Sequence, residues 1–100
     1  MGSLAPTLSF KLGKVKITNS AFCELSFLDV ADAIKRHLRG DWGEVTREDW
    51  QVNDYAAEHG LCIRSVYTAA NGTEFYIVTK GDRQSTIILL PDEFRESLKN

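Results

Sequence analysis

Apolar residues recur at helical spacing in one well-delimited segment of the first half of the chain. Ser26 precedes the segment as a natural N-cap, and Asp29 follows three residues later, as in a capping box. Gly40 stands where helices commonly end. The pattern predicts a helix over residues 27–39, whose apolar face comprises Phe27, Val30, Ala31, Ile34 and Leu38.

The same arrangement follows at once in a second segment. Thr46 is a suitable N-cap, and Gly60 terminates a helix that we expect to reach about His59. The apolar face is thinner, with Asn53 in its middle, and includes Ala56 and Ala57. We therefore expect Trp50 to be the main anchor of this second helix.

The last third of the chain has the alternation and the turn residues of β-strands. Strands are predicted over 61–67 and 73–79, because they flank Asn71-Gly72, the strongest short hairpin signal. Gly81-Asp82 marks a second turn before a third strand at 85–90. A proline followed by two acidic residues, at 91–93, predicts a short C-terminal helix.

The N-terminal segment also alternates, but its phase changes at Gly13. This change predicts either a strand with a β-bulge or a small hairpin. One helical turn capped by Ser20 follows this segment. The apolar positions are Leu8, Phe10 and Leu12 before the glycine, and Val15 and Ile17 after it.

This order of elements predicts an α+β fold. An N-terminal strand or hairpin and two helices precede a three-stranded antiparallel meander and a short helix, with the helices packed on one face of the sheet. Residues 8–96 form one domain, and residues 97–100 form a frayed C-terminus. Residues 1–7 are expected to be disordered, and their Met-Gly-Ser start is typical of a tag remnant.

Composition supports a globular domain in the cytoplasm. The 100 residues are 43% hydrophobic and 26% charged, which is ordinary for a domain with its own core. The sequence contains no run long enough to cross a membrane and no signal-peptide pattern at its start. We therefore expect a cytoplasmic protein without a membrane partner, and homo-oligomerisation is left open.

The charge pattern does not favour nucleic-acid binding. Net charge is −2, with lysines and arginines scattered along the chain. The one dense basic run, which comprises Lys11, Lys14 and Lys16, is typical of a strand edge protected against pairing. Nucleic-acid binding stays an alternative that would use this run and the helix end at Lys35, Arg36 and Arg39.

No catalytic, metal-binding or cofactor-binding motif is present in the sequence. Cys23 and Cys62 are expected to be reduced, buried thiols, because a disulfide framework needs more cysteines and a secretory context. These cysteines could converge with His37 and His59 in space, but no short ligand pair supports a metal site. We expect neither a metal nor a cofactor.

The segment from His37 to Gly43 is the strongest candidate for a polar site. In a functional interpretation, His37 and Asp41 form an acid–base pair or ligand set beside Trp42. In the structural interpretation, which we favour, Asp41 bonds nearby amides and Trp42 fills the core. Asn53 is expected to be buried and to bond the irregular backbone of residues 40–43.

A candidate partner surface lies on the meander. Both faces of the predicted strand at 73–79 are apolar, so one of them could receive a partner. Aromatic and arginine side chains contribute most to binding energy at interfaces. The surface would comprise Arg64, Tyr67, Phe75 or Tyr76, and Arg83.

Several sequence strings resemble a family of small bacterial proteins that are encoded on plasmids, prophages and other mobile elements. Members are described as plasmid-related, and some as type I restriction–modification subunits. This chain departs from them at residues 79–83, where they have Thr-Glu-Ala-Asp-Arg. The most specific strings are G-D-W-G (40–43) and L-L-P-D-E (89–93); the others are H-L-R (37–39), E-D-W-Q-V-N (48–53), H-G-L-C-I-R-S-V-Y (59–67) and G-T-E-F-Y-I-V-T (72–79).

The resemblance implies a setting in mobile DNA and in conflict between host defence and invader. The leading hypothesis is therefore a non-enzymatic protein-interaction module, acting as an accessory factor or inhibitor of a host defence system of the anti-restriction or anti-CRISPR type. The alternatives are a small enzyme or ligand-binding protein centred on residues 37–43, and a nucleic-acid-binding domain.

Overall fold

The computed structural model describes residues 10–98, and an α+β fold is confirmed in that range. The predicted disorder of residues 1–7 and the strand position of Leu8 lie outside the described residues, as do the last two residues of the predicted frayed end. In chain order the elements are β1 (Lys14–Ile17), α1 (Asn19–Glu24), α2 (Phe27–Leu38), α3 (Arg47–His59), β2 (Ile63–Thr68), β3 (Glu74–Thr79), β4 (Ser85–Leu89) and α4 (Pro91–Leu98).

The sheet has four strands in the order β1-β4-β3-β2, which extends the predicted three-stranded meander. β2, β3 and β4 form the antiparallel meander, as expected. β1 pairs with β4 in parallel, from Lys14 opposite Ser85 to Ile17 opposite Ile88. β1 is thereby the edge strand of a mixed sheet, a pairing that spans some seventy residues of sequence and leaves no local signal.

The helices cover both faces of the sheet, so the prediction of a single covered face is wrong. α1 and α2 pack over the face that carries Phe75 and Ile77 of β3. Tyr76 points to the opposite face, because side chains alternate along a strand. There it meets Phe94 of α4, with the ring centroids 5.3 Å apart.

The N-terminal segment forms a shorter strand than its alternation predicts. Phe10 lies outside the sheet, and its ring packs 5.4 Å from His37 and 6.2 Å from Trp42. Gly13 has a φ of 66°, and a Cβ there would lie 2.4 Å from the carbonyl carbon of Gln84. The glycine therefore turns the chain into β1 at a close backbone contact, and neither a bulge nor a hairpin forms among residues 10–17.

The predicted helix ends are largely confirmed. The Ser26 and Thr46 hydroxyls accept hydrogen bonds from the amides of Asp29 and Asp49, at 3.1 and 3.0 Å. Gly60 ends α3 in the left-handed conformation. The cap of α1 is Thr18 rather than the expected Ser20, since the Thr18 hydroxyl accepts from the Ala21 amide.

Two predictions about burial are wrong. Cys23 and Cys62 are free but exposed, because α1 turns Cys23 outward and Cys62 lies on the surface in the connection before β2. Trp50 is only half-buried, and the buried residues of α3 are Asn53 and Ala56. The large anchor between α3 and the sheet is Trp42, which is fully buried against Ala56 and Ile63.

Candidate functional site

His37 lies in the core rather than on an accessible turn. Its side chain is fully buried, and its ring meets Trp42 edge-on at 5.6 Å. The Nδ1 atom lies 2.6 Å from the Ser65 hydroxyl of β2, and Nε2 lies 2.9 Å from the Thr79 hydroxyl of β3. Both ring nitrogens are thus bonded to side chains of the sheet.

The hydrogen bonds fix the tautomer of this imidazole. The Thr86 hydroxyl donates to the Leu12 carbonyl at 2.7 Å, so Thr86 must accept from Thr79 at 2.8 Å. Thr79 has then used its only proton and can only accept from His37. His37 therefore carries its proton on Nε2 and accepts from Ser65 at Nδ1. The chain of donors joins α2 to three strands and to the N-terminal segment.

Burial keeps this imidazole neutral. Burial, together with the positive charge of Arg83, lowers the pKa of His37 from 6.5 to about 4. The ring has no contact with solvent and no unbonded nitrogen. It serves to hold the core together and is unsuited to exchanging protons with a substrate.

Asp41 does not pair with His37 as the functional interpretation requires. Its carboxylate accepts from Arg36 Nε at 2.8 Å and from the Gly43 amide at 3.2 Å. The hydrogen bond from Arg36 holds the pKa of Asp41 below its usual value. The Asp41 carbonyl accepts from the Tyr67 hydroxyl at 2.7 Å, and burial raises the pKa of that phenol to about 12. The polar groups of the turn are therefore bonded within the fold.

Residues 42–44, at the end of this turn, pair with the edge strand β2 and so extend the sheet by a short segment. The Val66 amide donates to the Trp42 carbonyl at 3.0 Å, and the Glu44 amide donates to the Val66 carbonyl at 2.7 Å. Gly43, at a φ of 77°, allows this approach, since a Cβ would lie 1.9 Å from the Val66 carbonyl oxygen. The Trp42 indole N–H donates to Asp54 of α3 at 2.9 Å.

Asn53 is buried, but its partners differ from the prediction. Its amide nitrogen donates to the Arg64 carbonyl at 2.8 Å, and its oxygen accepts from the Arg64 amide at 3.2 Å. These bonds attach α3 to β2 instead of to residues 40–43. Since the side chain satisfies both backbone groups of one edge residue, its role is to lock the helix to the strand.

The five residues of the predicted partner surface do not share one face. Tyr67 and Phe75 are only 2% and 1% exposed and belong to the core. Arg64 and Tyr76 lie on the opposite face, where the guanidinium carbon is 5.2 Å from the Tyr76 ring centre. Arg83 donates to the Ala56 carbonyl at 2.9 Å and so caps the end of α3. The strand alternation separates these residues, and the surface as predicted is not formed.

The outer edge of β1 is open within the described residues. The Lys14 and Thr18 amides donate to the Gln84 and Ile88 carbonyls of β4, both at 3.0 Å. Backbone groups alternate in direction along a strand, so the N–H and C=O groups of Val15 and Ile17 point away from β4. The prediction that Lys14 and Lys16 lie on a strand edge is confirmed.

An apolar groove adjoins this edge, and the sequence interpretation missed it. Its volume is about 380 Å³, and it lies between β1 and the two helices α1 and α2. Phe22 and Phe27 at its rim are 69% and 81% exposed. We call this feature, together with the open edge, the β1 groove; the lining includes Val15, Ile17, Phe22, Leu25, Phe27 and Val30.

Two adjacent residues could have signalled the groove. Phe27 and Leu28 open α2 side by side, although one helical stripe can bury only one of them. In the structure neither is buried: they are 81% and 77% exposed. Phe22 in α1 lies one residue beyond the buried Ala21. Surplus apolar residues in two consecutive helices indicate a surface outside the core.

Neither a metal site nor a membrane span is found within residues 10–98. No three side chains among histidine, cysteine, aspartate and glutamate come together there to hold an ion. None of the helices in this range combines the length and apolar character needed to cross a bilayer. Comparison with protein-family models, curated proteins and solved structures finds no match.

Proposed function

We propose that the protein is a non-enzymatic protein-interaction module whose binding site is the β1 groove. The observation that carries this proposal is the grouping of exposed Phe22 and Phe27 around an apolar groove beside an open strand edge. Single exposed apolar residues are common, but a cluster of them at a concave surface is typical of a binding site.

The polar residues that were candidates for a catalytic site also support the proposal, because their side chains are engaged within the fold. His37 and Asn53 make all their strong hydrogen bonds inside the fold, and Asp41 is engaged by Arg36. A catalytic site needs groups that can reach a substrate. These residues instead hold the helices on the sheet and so shape the groove.

The family resemblance of the sequence supports a partner in the host's defence against mobile DNA. In this proposal the protein acts as an accessory factor or inhibitor, as anti-restriction and anti-CRISPR proteins do. A small fold with an exposed apolar groove suits a role in which binding itself is the activity.

Phe27→Asp is expected to weaken partner binding while leaving the fold intact. Phe27 is 81% exposed at the first position of α2, where an acid is favourable, so stability should change by less than about 0.5 kcal/mol. A central aromatic at an interface contributes about 2 kcal/mol or more, which corresponds to about 30-fold in affinity. The measurement is quantitative affinity capture from an extract of the encoding bacterium.

Val52→Asp is the matched control, because Val52 is 61% exposed on α3, away from the groove. We expect a stoichiometric protein that the wild type and Val52→Asp recover and that Phe27→Asp loses. Equal recovery by Phe27→Asp, or no protein recovered by any variant, would contradict the proposed function.

A further inference from the structure

We infer that the β1 groove takes a β-strand of the partner, in which apolar side chains alternate with acidic ones. The added strand pairs with β1 along its open edge. This inference rests on the proposed function and specifies the chemistry of its partner.

The backbone of β1 supplies the first part of the argument. Val15 and Ile17 each present an N–H and a C=O group away from β4. No other strand of the described residues pairs with these groups; an open edge of this kind is a template for another strand, and strand addition is an established mode of peptide recognition. A helix laid in the groove would leave these four groups without protein partners.

The groove-facing side chains define the apolar half of the pattern. Val15 and Ile17 line the groove, on the same face of the sheet as Ile88. In a paired strand, directly opposite residues point to the same face. The partner residues opposite Val15 and Ile17 would therefore enter the groove, between β1 and the rings of Phe22 and Phe27, where apolar side chains fit.

The lysines define the acidic half. Lys14 and Lys16 alternate with Val15 and Ile17 along β1, and both are exposed; Lys16 also borders the groove. Partner residues opposite them would lie on the other face, in solvent, beside two positive charges. Opposite charges across a strand pair stabilise it, whereas like charges destabilise it. Glutamate or aspartate at these positions therefore suits this edge.

The same lysines argue against a second copy of this chain as the occupant. Antiparallel pairings of two β1 strands that are centred on Val15 or on Lys16 turn valine and isoleucine of both copies towards the grooves, and they also place lysine opposite lysine. Lysine on an edge strand is a common protection against such self-pairing. The charge pattern thus admits a complementary strand and disfavours an identical one.

The test uses three blocked eight-residue peptides and isothermal titration calorimetry. The first is Thr-Glu-Val-Glu-Ile-Glu-Val-Thr, and the second has the same residues reordered as Thr-Val-Val-Ile-Glu-Glu-Glu-Thr. The third has lysine in place of every glutamate of the first. We expect the alternating acidic peptide to bind at least about tenfold tighter than either control, and to bind more weakly as salt increases.

Amide exchange by NMR reports the register directly. The N–H groups of Val15 and Ile17 should gain protection with the acidic peptide. The double variant Lys14→Glu/Lys16→Glu should no longer bind the acidic peptide and should bind the lysine peptide instead. Lys35→Glu/Lys80→Glu makes the same change in net charge away from the edge and should behave as the wild type.

The inference fails if the reordered peptide binds as well, if the two amides gain no protection, or if the Lys14→Glu/Lys16→Glu variant keeps its preference. None of these results contradicts the proposed function if Phe27→Asp still fails to recover the protein that the wild type captures. If Phe27→Asp loses nothing, the proposed function fails with the inference.

Discussion

Trp42→Ala is expected to lower the free energy of unfolding by about 3–5 kcal/mol, the usual range for removing a buried aromatic side chain. The indole is fully buried in the cluster with Ala56 and Ile63, and its N–H donates to Asp54. Small domains unfold with about 5–15 kcal/mol, so the variant should lose a large fraction of its stability. Urea denaturation followed by circular dichroism measures the change.

Trp50→Ala is the matched control, because it removes the same side chain from a half-buried position in α3. Trp50→Ala should lower the free energy of unfolding by about 1–2 kcal/mol, since the truncation removes less buried apolar surface than Trp42→Ala does. If Trp50→Ala were as costly as Trp42→Ala, the assignment of Trp42 as the anchor between α3 and the sheet would be wrong.

Acid is expected to destabilise the fold through His37 before the carboxylates titrate. The imidazole has a pKa of about 4 in the folded protein, against 6.5 for an unperturbed histidine. Between these values the unfolded state binds more protons, so stability is constant above about pH 6.5 and falls as the pH is lowered towards 4. The difference corresponds to about 3 kcal/mol, measured as urea midpoints between pH 7 and 4.

His37→Gln removes the ionisable group and should flatten the pH dependence of stability between pH 6.5 and 4. The variant is expected to be less stable than the wild type at pH 7. His59→Gln removes the exposed histidine of α3 and should keep the wild-type dependence. NMR titration of the His37 ring in the wild type provides a second readout that needs no variant. A ring pKa near 6.5, or an unchanged slope in His37→Gln, would contradict the buried neutral network.

The helices were predictable because their signals are local. Ser26, Thr46 and Gly60 act within four residues of the backbone groups that they cap, so the helix limits could be read from the sequence. The parallel pairing of β1 with β4 joins residues that lie some seventy positions apart. No periodicity in either strand specifies its neighbour, and this part of the sheet required the structure.

The interior faces of the strands were harder to assign than the strands themselves. Phe75 and Tyr76 are both apolar enough for burial, and the covered face depends on where the helices pack. Polar residues at inward positions did carry a signal: Ser65 stands between Ile63 and Tyr67 on β2. Such a position is compatible with burial only if a partner such as His37 faces it.

The groove arises from an excess of apolar residues that the core does not use. Phe27 fits the helical stripe of α2, and the stripe alone assigns it to the core. In the structure it is 81% exposed and lines the β1 groove. Periodicity identifies the face of a helix, whereas burial also depends on how far the opposite layer reaches.

The most direct measurement of the central claim is hydrogen exchange of the protein in complex with the protein that it captures. The account predicts slowed exchange of the Val15 and Ile17 amides and of the first turns of α1 and α2, with α3 unchanged. Slowed exchange confined to the face of Arg64 and Tyr76, with β1 unchanged, would contradict the assignment of the β1 groove as the binding site.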